Sequence, residues 1–207
     1  MAYPTVNAPY GLVPINLIGG QVFAGATRQI PIASAYDVSI FNGDVVKLSS
    51  DGVLVKDTGT ATATPVGVFL GCSYTDATFG KIFRQYFPAD TVASDIMAYV
   101  ADDPDQLFKV AVTAAGTSTI SSVARTAVGN NSALIQGTGS ATTGNSAVSI
   151  SATTATTATL PIRIVDLVEE TRNTSGGYTE AIVKWNAPNV TSQTVAGGHQ
   201  YLNPTGV

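Results

Sequence analysis

Apolar and polar positions alternate with a period of two along most of the chain. Between about residues 28 and 113 no i, i+3, i+4, i+7 pattern persists for three turns. The stretch 44–56, DVVKLSSDGVLVK, predicts a hairpin turning at Ser49-Ser50-Asp51-Gly52, since Asp and Gly tolerate tight-turn backbone. The expected register sets Leu48 opposite Val53 and Val46 opposite Val55; a slip that opposes Lys47 and Lys56 is disfavoured by like charge. After Pro65, VGVFLGCSY predicts a strand with Val66, Val68, Leu70 and Cys72 on one face, which makes Cys72 a core thiol. KIFRQYF from Lys81, IMAYVA from Ile96, and the alternation of Phe108, Val110 and Val112 predict three more strands. IRIVDLVE and YTEAIVKW, joined across residues 172–177, predict a second hairpin carrying Trp185. The fold class expected is all-β.

The two ends are punctuated differently. Pro4, Pro9, Pro14 and Pro31 fix φ and remove donors, so residues 1–27 predict an extended arm. Tyr3, Tyr10, Leu12, Val13, Ile15, Leu17 and Ile18 make that arm too apolar for a solvated tail, and it wants a groove or a sheet edge. Residues 28–113 form the expected β body, residues 114–190 a charge-poor β-rich segment with the C-terminal hairpin, and residues 191–207 a tail. Between residues 110 and 162 the only charged side chain is Arg125. Its recurring apolar pieces, such as 133–135 and 147–150, favour an ordered β segment or interface loop facing other chains over a flexible linker.

Composition removes several function classes. Ala, Thr, Gly and Ser supply 90 of 207 residues and charged residues only 12%, about half the usual share. A net charge of −4 argues against coating nucleic acid. No run of ~18 apolar residues argues for a membrane span, and the amino terminus lacks the pattern of a secretory signal. One Cys, one His and one Trp leave little from which to assemble metal, thiol or acid–base sites. Asp102-Asp103-Pro104-Asp105 lacks the glycine and distal glutamate of a calcium loop and reads as a solvated turn. His199 has no companion His or Cys and reads as a surface or interface residue. No nucleophile elbow or phosphate loop is present. No enzyme activity, cofactor or metal is expected.

Three blocks, NAPYGLVPINLIGG at 7–20, PVGVFLGCSYTDATFGKIFRQYFPAD with AYVADDPDQLFKV in the middle, and VKWNAPN with GGHQYL near the end, carry a resemblance over nearly the whole chain. They resemble structural proteins of tailed phages of aquatic bacteria, of the capsid decoration or cement type. The resemblance implies a hairpin-rich small barrel or β-tulip-like body with an extended N-terminal arm and a second β-rich C-terminal half. It also implies a place on the outer surface of an icosahedral head after synthesis in the host cytoplasm. The implied partners are the major capsid protein and the protein itself, as a homotrimer, with neither nucleic acid nor membrane. Main-chain bonds from the arm to a capsid strand edge would give affinity, with Asn7, Pro9, Tyr10, Gly11, Leu12, Pro14 and Ile15 as contact residues. Two other readings stay open: another virion role, as major capsid or tail subunit, and a carbohydrate-binding fibre module using Tyr178 and Trp185.

Overall fold

The computed structural model describes residues 9–173, 177–187 and 198–202. Twelve strands and two short 3-10 turns are found among them. The strands are β1 (Val13–Leu17), β2 (Arg28–Pro31), β3 (Val45–Leu48), β4 (Leu54–Lys56), β5 (Gly67–Asp76), β6 (Gly80–Arg84), β7 (Met97–Ala101), β8 (Gln106–Thr113), β9 (Asn131–Ile135), β10 (Ser149–Ala155), β11 (Ile162–Asn173) and β12 (Tyr178–Trp185). Strands β8, β10, β9, β11 and β12 close on themselves as a five-stranded barrel, because β12 pairs back onto β8. Closure leaves the barrel without free edges. The second sheet runs β2-β7-β5-β3-β4, with β6 added to the far half of β5. The all-β expectation with a barrel-like body therefore holds.

The division of the chain at 113 does not follow the sheets. β8 lies before that point yet belongs to the barrel built by β9–β12, and it pairs with β12 from Leu107 to Ala111. One apolar cluster fills the barrel and runs on into Leu12, Val45, Ala63, Val68 and Ala101; a second, with Phe69, Cys72, Phe87 and Val100, lies under the other sheet.

β5 serves both clusters through a bulge. Its register against β7 shifts between Phe69 and Gly71. The strict alternation expected for Val66, Val68, Leu70 and Cys72 is thereby broken: Val68 enters the barrel cluster, while Cys72 joins Phe69 in the second. Cys72 is a buried free thiol, as its strand position implied. The β3–β4 hairpin also differs from its expected register: Val46 pairs with Lys56, Lys47 with Val55 and Leu48 with Leu54. This intermediate pairing keeps the two lysines apart and lets Lys56 Nζ reach the carboxylate of Asp44 at 2.8 Å. The C-terminal hairpin pairs Ile162 with Trp185 and Ile164 with Val183.

Charge poverty in 110–162 has a structural reason inside the chain. The segment is ordered as β9, β10 and connecting turns. Its hydroxyls bond within the barrel: Thr113 to Ser149 at 2.8 Å, and Ser132 to the Ser151 carbonyl at 2.8 Å. Small neutral groups satisfy these buried positions, where a charge would need a partner.

The two sheets are joined where backbone meets backbone. Gly11 and Gly43 cross so closely that a Cβ on Gly11 would lie 2.7 Å from Gly43 Cα, and both have positive φ, +86° and +92°. Gly11→Ala should therefore cost roughly 3 kcal/mol or more. Gly20→Ala, also at positive φ (+85°) but in open space, should cost only about 1–2 kcal/mol. Urea unfolding of the two variants checks this; equal losses would show that the crossing relaxes.

Candidate functional site

The expected contact arm is the first place to look, and the structure folds most of it into the body. Asn7 lies outside the described residues. From Pro9 onward the segment runs along β8, with Val13 opposite Lys109 and Pro14 opposite Phe108. Gly11 N donates to the Val148 carbonyl and Leu12 N to the Gly43 carbonyl, each at 3.0 Å. Leu12 is wholly buried. The Tyr10 hydroxyl donates to Glu180 Oε1 at 2.5 Å, and Lys109 Nζ sits 5.7 Å from the centre of its ring. Burial, and then the Glu180 carboxylate, push the Tyr10 phenol well above its ordinary value. Ile15 is half-buried and its carbonyl accepts from Phe23 N. In residues 9–17 the main chain is thus bonded within the protein, to β8, Val148 and Gly43, and Leu12 is buried in the body.

What the arm leaves on display is the loop after it. Ile18 and Val22 are 50% and 80% exposed. Beside them opens a cleft of about 500 Å³, lined by Leu17, Val22, Phe23, Arg28, Asp102 and Gln106 among others. Arg28 Nε bonds Asp102 at 2.7 Å across this rim, and its guanidinium lies 5.3 Å from the Tyr201 ring centre. Loop tips with apolar residues facing water mark contact surfaces more often than isolated exposed side chains do.

A second display is the β5–β6 hairpin, which sequence reasoning passed over. Phe79 at its tip is 77% exposed and Phe83 on β6 is 72% exposed. Phe83, Ser73, Met97 and Pro31 lie in one row across β6, β5, β7 and β2. Phe83 stacks on Tyr99, whose hydroxyl donates to Ser73 Oγ at 3.2 Å. The signal was present in KIFRQYF: neither alternating set is cleanly apolar, so both faces meet something other than a simple core.

The acidic turn and the late residues have structural partners. Asp102 pairs with Arg28, Asp103 Oδ1 accepts from Asp105 N at 2.8 Å, and Asp105 accepts from Lys184 Nζ at 2.6 Å. His199 is fully buried between Trp185 and Tyr201, which corrects its expected place on the surface. Beside it Gln200 clamps β3, accepting from Leu48 N at 2.7 Å and donating to Leu48 O at 3.2 Å. Tyr178 and Trp185 are each 1% exposed, so neither ring offers a stacking platform to a sugar. Burial pushes the Cys72 thiol up to about 12.

Comparison with protein-family models, with curated proteins and with solved structures gave no match.

Two measurements follow from the buried groups. Desolvation, opposed by the Val66 backbone and the Asp102 carboxylate, holds the His199 pKa below its ordinary value. The unfolded chain then binds more protons below about pH 6.5, so stability falls as pH drops through that value, by up to about 1.4 kcal/mol per pH unit. Denaturant midpoints between pH 7.5 and 5 should show the slope, and His199→Gln should flatten it. Cys72 should resist alkylation in the folded protein and react fully once urea unfolds it; rapid labelling of the native state would contradict its burial.

Proposed function

We propose that the protein is a virion structural protein that binds the outer surface of an icosahedral phage head and clamps neighbouring capsid subunits. The reading begins from the three sequence blocks and their resemblance to decoration proteins. The observation that carries it furthest is the pairing of a closed barrel with a loop, residues 18–27, that packs Phe23 back on the barrel cluster and holds Ile18 and Val22 out in water. Ile18 and Val22 stand on that loop beside the 500 Å³ cleft. A clamp under tension needs such a division, since a stiff body transmits force and a small exposed patch makes the contact.

In this function the contact lies at the loop that ends the N-terminal segment, with Tyr10, Gly11 and Leu12 anchoring it from within. Buried Leu12 and the Gly11 bonds fix where the loop leaves β1. Three copies about a local threefold position would each add one modest contact. Multivalency then makes the assembly hold, because separate weak contacts must all open together before a subunit leaves.

Purified protein added to expanded heads that lack it should sediment with them, while Ile18→Asp with Val22→Asp should reduce bound copies about tenfold or more and leave the melting temperature unchanged. Failure of the native protein to bind heads would overturn the function, and undiminished binding of the double variant would overturn the loop as its contact.

A further inference from the structure

β6 is paired on one side only. Among the described residues it bonds β5, through Thr75 to Lys81, Tyr74 to Ile82 and Cys72 to Arg84, and no strand lies along its other edge. An open edge carries a row of N–H and C=O groups ready to pair with another chain. Proteins usually blunt such an edge with charge, proline or a bulge. β6 is short and carries Lys81 and Arg84, but it has no proline or bulge, and Phe83 between those charges is left in water.

The side chains of β6 identify what fits it. A two-fold axis normal to the sheet keeps each face on its own side, so opposed residues must come from the same face. Centring the axis on Lys81 would set lysine against lysine, which is repulsive. Centring it on Ile82 gives complementary contacts on both faces. On the outer face each Lys81 lies opposite the second copy's Phe83, a cation beside an aromatic ring. Lys81 is already neutralised by Asp95 at 2.8 Å, which lessens the loss of hydration there.

On the other face Ile82 meets its own symmetry mate, and Arg84 lies opposite Gly80 of the second copy. Gly80 has open space where a Cβ would stand. Across Gly80 in the same row stands Asp76, its partner in the β5–β6 ladder. Arg84 of one copy can therefore lie over the bare glycine and reach Asp76 of the other, two strand spacings or about 9.6 Å away along the row. Asp76 Oδ1 accepts from Thr78 N and Phe79 N, at 2.8 and 3.0 Å, which fixes the carboxylate at the hairpin end. Among the described residues Arg84 has no ion pair of its own. Symmetry makes the bridge twice.

We infer that β6 is a homophilic seam: two copies of this chain join edge to edge, antiparallel about Ile82, with reciprocal Arg84–Asp76 bridges over Gly80. Such a contact is isologous and closes at two copies. It extends the row Phe83-Ser73-Met97-Pro31 into one eight-stranded surface, β2-β7-β5-β6 from each copy. The seam uses no part of the 18–27 loop, so its presence is measured on the isolated protein and does not depend on binding to heads.

Light scattering after size exclusion, over a dilution series, should show a reversible dimer. Arg84→Glu should raise its dissociation constant about tenfold or more, and adding Asp76→Lys to that variant should restore dimerisation, a rescue that a merely structural role would not give. In a Cys72→Ala background, Ile82→Cys should form an intermolecular disulfide under mild oxidation, whereas Phe83→Cys should not. Unchanged melting temperatures establish that the variants fold. A monomer at every concentration, no rescue by the double exchange, or cross-linking through position 83 in place of 82 would each overturn the seam.

Discussion

The fully buried carboxylate of Asp44 is the interaction on which the arrangement of the two sheets depends. Its Oδ2 accepts from Phe41 N at 2.9 Å and from Lys56 Nζ at 2.8 Å, and its Oδ1 accepts from Ser146 Oγ at 2.6 Å. Those donors come from the approach to β3, from β4, and from the turn leading into β10. Ser146 Oγ accepts in turn from Val148 N, whose own carbonyl receives Gly11 N. A single side chain thus gathers the barrel, the second sheet and the N-terminal segment. Removing one partner from a buried ion pair costs about 3–5 kcal/mol, because the other is left without compensation. The close Gly11–Gly43 crossing lies one residue away from Asp44, so side-chain chemistry and backbone approach act at one locus.

Strand identity was legible in the chain, and long-range partnership was not. VGVFLGCSY, IMAYVA and the final hairpin announced themselves by alternation and KIFRQYF by its aromatic and β-branched residues, and strands run through each, in KIFRQYF only as far as Arg84. Alternation cannot reveal a bulge, however. The shift at Phe69–Gly71 sends Val68 and Cys72 into different clusters, and nothing in the local pattern distinguishes it from a straight strand. The β3–β4 register shows the same limit. Local turn chemistry and like-charge avoidance bracketed it, but Lys56 was placed by Asp44, a residue at the other end of the hairpin.

The candidate site shows why apolar sequence near a terminus is ambiguous. Pro9, Tyr10, Leu12 and Ile15 correctly indicated an extended segment seeking a sheet edge. The edge it finds is the near half of β8, within its own chain. Composition did not say whose edge would be used. His199 posed the converse problem: a lone histidine among Gly and Gln has no apolar pattern, and its burial follows from contacts with Trp185 and the clamp of Gln200 on Leu48. In the charge-free stretch read as a surface for other chains, some hydroxyls, such as those of Thr113, Ser132 and Ser149, turn inward.

One side of β8 is shared, with β1 along residues 106–109 and β10 along residues 112–113. This division has a consequence for the order in which the molecule is made. Residues 9–17 cannot dock until β8 has been made, and the bond from Gly11 to Val148 waits on residues far later in the chain. The N-terminal segment therefore passes through synthesis as an unpaired, apolar ribbon, and its docking lays β1 beside β8, outside the ring that β12 closes. Long loop closures of this kind are slow. The three prolines that stiffen the ribbon and deprive it of donors keep it from pairing with neighbours while it waits.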